Sequence, residues 1–124
     1  MKDYGFIYQE PQLEDYTFGS GEIAADILQP DGQWDQYLPS DELQGDKGFE
    51  PYACASFGTL NAVEILLKRK YNFTDNFSDR YLAKMTGTDK LKGNSPHAVA
   101  EYLRHYGDVD EQDWPYQAST FEEY

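Results

Sequence analysis

One stretch constrains this chain more than any other: Gly48 to Tyr71, GFEPYACASFGTLNAVEILLKRKY. Pro51 closes the loop before it. Cys54, Phe57, Leu60, Ala62, Val63, Ile65, Leu66 and Leu67 then supply apolar side chains over successive turns, so the segment reads as a helix apolar around most of its girth. Such a helix belongs inside a domain. Lys68, Arg69 and Lys70 come late, where cations suit the negative end of the helix dipole and mark a solvent-facing tip. The pattern predicts a helix over Cys54 to Tyr71, the longest and most buried of the chain. Its first residue is the only cysteine. A thiol at the positive end of a helix dipole is favoured as thiolate, with its pKa depressed from about 8.5, and is then a nucleophile at neutral pH. The same residue buried as a small hydrophobe would be inert packing.

At 124 residues the chain has the size of one domain. A net charge of −13 with ten basic residues argues against nucleic acid and against anionic membranes as partners, since both need cationic patches. No apolar run approaches the roughly twenty residues of a membrane span. The start, MKDYGFIYQE, lacks the apolar core of a signal peptide. A single cysteine cannot form an internal disulfide, and a cytoplasmic or virion-associated location is the expectation.

Residues 1–33 read as an extended N-terminal arm with turns at Gly19 to Gly21 and Pro30 to Gly32. Its aromatic residues Tyr4, Phe6, Tyr8, Tyr16 and Phe18, followed by Trp34 and Tyr37, predict an arm that wraps over a core laid down later. Short strands at Phe6 to Tyr8 or Ile23 to Leu28 would fit within it. After the central helix, Ser78 is placed as an N-cap, with Phe77 and Leu82 as a hydrophobic staple and Gly87 as the stop of a short helix. Ser95 caps a third helix that has Pro96 at its first position and ends before Gly107; Val99, Tyr102, Leu103 and Tyr106 form its apolar stripe. Asp108, Asp110, Glu111 and Asp113 have the composition of a calcium loop without its glycine or distal glutamate, so neither a metal nor a cofactor is expected. Residues 117–124 read as an acidic tail or linker.

The run from Cys54 to Glu64 resembles the nucleophile helix of papain-like cysteine peptidases, with Phe57 and Glu64 at the offsets of that family's phenylalanine and buried glutamate. Four further pieces follow in the same order. A tryptophan-bearing strand at Trp34 leads to Gln44-Gly45; a serine motif opens the next helix at Ser78; Gly93, Asn94 and Pro96 hold the places of a Gly-Gly pair and a proline; and Trp114-Pro115-Tyr116 matches an aromatic-Pro-Tyr turn. The resemblance covers residues 34–116. It implies an α+β fold, mainly helical in this chain, corresponding to the left, helical domain of the papain-like fold. It implies a peptidase acting on peptides or proteins through a thioester on Cys54. Gln44 and a backbone amide would hold the oxyanion, and Gly93, Asn94 and Pro96 would bind substrate as a strand-like edge.

The family's histidine and asparagine stand some 130 to 150 residues after the cysteine, beyond Tyr124. The expectation is therefore a nucleophile-bearing half, inactive alone, completed by a second chain carrying those residues, or self-associating. His97 is the one histidine placed beside the implied cleft; His105 reads as a helix-end residue. The rival reading is a non-catalytic interaction or virion-associated module that keeps this fold.

Overall fold

The computed structural model describes residues 6–13, 15, 34–40 and 42–124. Among these the chain is mainly helical, with α1 at Cys54–Tyr71, α2 at Asp79–Met85 and α3 at Pro96–Tyr106, preceded by a 3-10 turn at Asp35–Tyr37. Strand-like pairing among the described residues is limited to isolated bridges of Phe6 with Asn94, Phe77 with Asp110 and Asp89 with Gly93.

The helix limits follow from local chemistry. Tyr52, at φ 55, turns the chain out of the Pro51 loop just before α1, and Asn72, at φ 52, ends the helix in the left-handed conformation. Asparagine tolerates that geometry better than most residues. Ser78 accepts from the Tyr81 amide at 3.1 Å to cap α2. Gly87, at φ 72, closes α2: its N–H bonds the Lys84 carbonyl while the Thr88 N–H reaches the Ala83 carbonyl, the paired arrangement that satisfies orphan carbonyls at a helix end. Ser95 caps α3 through the Ala98 amide, and Gly107, at φ 76, stops it.

Helix α1 divides the core in two. On one side Ala53 and Phe57 join Ala83, Tyr116, Ala118 and Tyr124, with Phe49 against them. On the other, Ala55 and Leu60 join Leu82 and Val99, with Phe77, Tyr102 and Leu103 against them. The staple of Phe77 and Leu82 is thus part of the core.

Several sequence expectations change. Burial in α1 is concentrated toward its N-terminal end, through Ala55, Ser56, Phe57, Leu60 and Glu64, while Leu66 is 54% exposed; the cover farther along includes the 3-10 turn at Asp35–Tyr37. Tyr106 is also exposed, stacked on Tyr102 with ring centroids 4.8 Å apart instead of entering the core. The strand expected at Trp34 is a 3-10 turn closed by the Tyr37 amide on the Trp34 carbonyl, with Arg69 of α1 4.6 Å from the indole centroid. A cation over an aromatic face holds the ring without any strand partner.

Residues 117–124 return to the body instead of trailing away. Tyr124 is buried, and Arg80 donates to the carbonyls of Pro115, Glu123 and Tyr124. Those contacts outweigh the acidic composition that marked the segment as a tail. Phe6 and Tyr8 are exposed and do not wrap over a core. Tyr4, Tyr16, Phe18 and the possible strand at Ile23 to Leu28 lie outside the described residues.

Ser78 has a second role, donating its hydroxyl to the Trp114 carbonyl while it caps α2. Ser78→Ala should therefore cost about 1 to 3 kcal/mol in denaturant melts, the loss of a cap plus a buried carbonyl left unpaired. A cost of only a few tenths would mean that water replaces both contacts.

Candidate functional site

Cys54 is the first residue of α1 and half-buried. The helix has no side-chain cap, Ala53 being the residue before it. The sequence expectation of a depressed thiol pKa is reversed. Burial pushes the Cys54 thiol up, and the nearby Glu50 carboxylate adds to it; hydrogen bonding from the backbone amides of Ala55 and Cys54 lowers it without prevailing. Desolvation and a like charge together outweigh the helix end.

Glu50 organises the loop that leads into α1. Its Oε1 accepts from the Tyr52 amide at 2.9 Å and from the Gln44 side-chain amide. The Gln44 carbonyl accepts from the Tyr116 hydroxyl at 2.6 Å. Gln44 is thus tied, through one of its two amide N–H groups, to the carboxylate that also bears on the thiol. Glu50 was not singled out from the sequence; an acidic residue four positions before the cysteine was its only signal.

Ten residues along α1, Glu64 is buried and accepts from the Phe77 amide at 2.9 Å, tying α1 to the entry of α2. It belongs to a set of carboxylates that the chain folds inward. Asn76 donates to Glu42 at 2.7 Å, and Glu111 accepts from the Tyr116 amide. Burial pushes Asp79 up to about 9, with the hydrogen bond and charge of Glu42 and the charges of Glu64 and Glu111 adding to it. Asp108 rises to about 7, mainly by burial and against the bond from the Val109 amide. Glu64 and Glu111 are raised for the same first reason. Among the described residues no three His, Cys, Asp or Glu side chains are placed to hold a metal ion.

The Gly93 to His97 stretch forms the start of α3. Gly93, at φ 71, closes a tight turn with Asp89 through mutual backbone bonds of 2.7 and 3.1 Å. Asn94 is buried, donating its amide to the carbonyl and hydroxyl of Thr86 at 3.0 Å and accepting from the Ser95 N–H at 2.8 Å. Its main-chain carbonyl instead receives the Ile7 amide, 2.9 Å away. Pro96 fills the first position of α3. His97 turns to the N-terminal arm, with Nε2 3.4 Å from Asp15 Oδ1. His105 bonds the Glu101 carbonyl on the exposed end of α3.

Comparison with family models, curated proteins and solved structures finds no match. No helix among the described residues is long and apolar enough to cross a membrane. The site comprises a half-buried thiol at the start of α1 and a backbone pairing at the start of α3, on two helices in contact.

Proposed function

We propose that this chain is the nucleophile-bearing, helical half of a papain-like cysteine peptidase of α+β class. The observation that carries the reading is the layout of α1: the cysteine opens it, Phe57 is buried three residues on, and Glu64 is buried ten residues on against the entry of the next helix. In this chemistry the Cys54 sulfur adds to a peptide carbonyl, the C–N bond breaks as the amine takes a proton, and water hydrolyses the thioester. The proton donor is a histidine oriented by an asparagine. With His97 facing the arm, the reading assigns those two residues to a second chain or segment, and assigns Gly93, Asn94 and Pro96 to binding of a peptide or protein substrate. Its setting is the cytoplasm or a virion.

A second reading, a non-catalytic interaction module on the same fold, is favoured by the raised thiol, since a packed cysteine beside a carboxylate is a poor nucleophile. The two separate on reaction rates. Iodoacetamide and a peptidyl epoxide are compared at alkaline pH on this protein and on a short cysteine peptide. The peptidase reading expects the epoxide-to-iodoacetamide rate ratio of Cys54 to exceed that of the free peptide by about tenfold or more, because a bound peptide holds its warhead beside the sulfur. Equal ratios would leave the interaction module. With either reagent the reaction should switch on at higher pH for Cys54 than for the peptide.

A further inference from the structure

We propose that a cavity between the loop ahead of α1 and the loop after α3 binds an alkylguanidinium, a free guanidine or an arginine side chain, at the carboxylates of Glu42 and Glu111. The cavity, of about 300 Å3, is lined by Glu42, Leu43, Asp46, Lys47, Glu111 and Tyr116. Two of its carboxylates are held in place. Asn76 donates to Glu42 Oε1 at 2.7 Å, and the Tyr116 amide donates to Glu111 Oε1, while Glu111 Oε2 is buried without a hydrogen-bond partner. Behind them stands Asp79, 6% exposed at the start of α2. Its carboxyl is directed at Glu42 and hydrogen-bonded to it, and its Oδ1 likewise has no hydrogen-bond partner. A bond between two carboxyls requires a proton, so the pair keeps one where a cation would serve.

The neighbouring cations are spent elsewhere. Arg80, whose charge bears on Glu111, gives Nε, Nη1 and Nη2 to the carbonyls of Tyr124, Pro115 and Glu123. Lys47 places Nζ 3.4 Å from Asp46 and 5.7 Å from the Tyr116 ring centroid. Among the described residues no three His, Cys, Asp or Glu side chains are placed to hold a metal ion. A guanidinium meets the need differently: it is planar, weakly hydrated and carries five donors in a fork, so it can span carboxylates that no metal ion gathers. The Tyr116 ring offers it a face, and Leu43 an apolar contact for the alkyl stem. Entry of the cation favours the carboxylate form and expels the shared proton. The groups facing Asp79 are Glu42 ahead of α1, Glu64 of α1, Glu111 after α3, and Tyr116 and Tyr124 beyond it, with Arg80 alongside on α2. Binding should therefore tighten as pH rises. The site does not involve Cys54 and is independent of the peptidase reading.

The test is calorimetric titration of the full chain with N-propylguanidine, which keeps its charge, and with acetyl-arginine amide, in buffers of different ionisation heat. Saturable one-to-one binding with proton release is expected, with affinity rising several-fold between about pH 7 and 8.5. Tighter binding of propylguanidine assigns a free guanidine, and tighter binding of the amide a protein arginine. Glu42→Gln and Glu111→Gln should each weaken binding by about tenfold or more. Lys47→Met, which removes a like charge from the cavity wall, should tighten it by about a few-fold. Asp79→Asn should remove most of the proton release, a change that loose attraction to an acidic surface would not show. Should Glu111→Gln disturb the helical circular dichroism, Glu42→Gln and Asp79→Asn decide the matter. Glu122→Gln, at an exposed carboxylate paired with Lys90, should bind as the parent does. Absence of saturable binding, equal binding of tetramethylammonium, which donates no hydrogen bond, or unchanged affinity and proton release in Glu42→Gln and Asp79→Asn would overturn the proposal.

Discussion

Acidification from pH 8.5 to 5.5 should raise the thermal midpoint of this protein by on the order of 10 °C. The sign follows from the buried carboxylates. Asp79 and Asp108, with pKa values raised to about 9 and about 7, keep protons in the folded chain that the unfolded chain releases near pH 4. Their stabilising contribution is fully present below the ordinary carboxylate range. It is lost as pH rises through 7 for Asp108 and 9 for Asp79, and the raised Glu64 and Glu111 act in the same direction. Each pH unit over which the folded state holds one extra proton is worth on the order of a kcal/mol. Self-repulsion at a net charge of −13 also eases on acidification. Glu101 and Glu122, lowered by Arg104 and Lys90, oppose the trend, but both lie on the surface, where such pairs contribute little. Stopping at pH 5.5 keeps clear of the sequence pI of 4.3, where precipitation would intervene. Asp79→Asn should raise the midpoint at pH 8.5 and flatten the profile. A midpoint that is flat or falls on acidification, followed by calorimetry, would show that these carboxylates titrate as exposed groups do.

Asp79 also shows where sequence reading stops. As the first residue of α2 it looks like an ordinary favourable anion at a helix N-terminus, an effect of about 0.3 to 1 kcal/mol. What outweighs that is burial beside Glu42, Glu64 and Glu111, residues brought together from separate parts of the chain. No local pattern contains such a meeting. The helix limits, by contrast, were legible because their causes are local: Ser78 and Ser95 bond amides three residues on, and Gly87 and Gly107 stop helices through their own φ.

The candidate site divides in the same way. The place of Cys54 at the start of α1 and the burial of Phe57 followed from the apolar pattern of one helix, whereas the burial of Glu64 was implied only by the family resemblance. The fate of Gln44 did not, because it turns on Glu50 and on the Tyr116 hydroxyl far along the chain. Composition marked residues 117–124 as a solvated tail, and only the fold reveals that Arg80 holds the Glu123 and Tyr124 carbonyls of that end together with that of Pro115. The exposure of Leu66 and Tyr106 was hidden for a related reason: apolar periodicity shows that a face can be buried, not that a neighbour reaches it.

Leu60→Ala should cost about 2 to 5 kcal/mol in denaturant melts. Leu60 is 1% exposed and sits between Ala55, Leu82 and Val99, where all three helices meet. Removing it takes away buried methyl groups and leaves a space that side chains fixed on three helices cannot readily fill. A domain of this size has roughly 5 to 15 kcal/mol of stability in all, so the variant should lie near the edge of folding. Leu66→Ala on the same helix is the internal control, because that side chain is 54% exposed and its loss should fall within about 0.5 kcal/mol of zero. The contrast distinguishes burial from helix propensity, since alanine is the better helix former at both positions. Equal losses at the two sites would mean that the far half of α1 is covered in solution, by a second copy or a partner. A negligible loss at Leu60 would move the core away from the junction of α1, α2 and α3 and take with it the framework that holds Cys54.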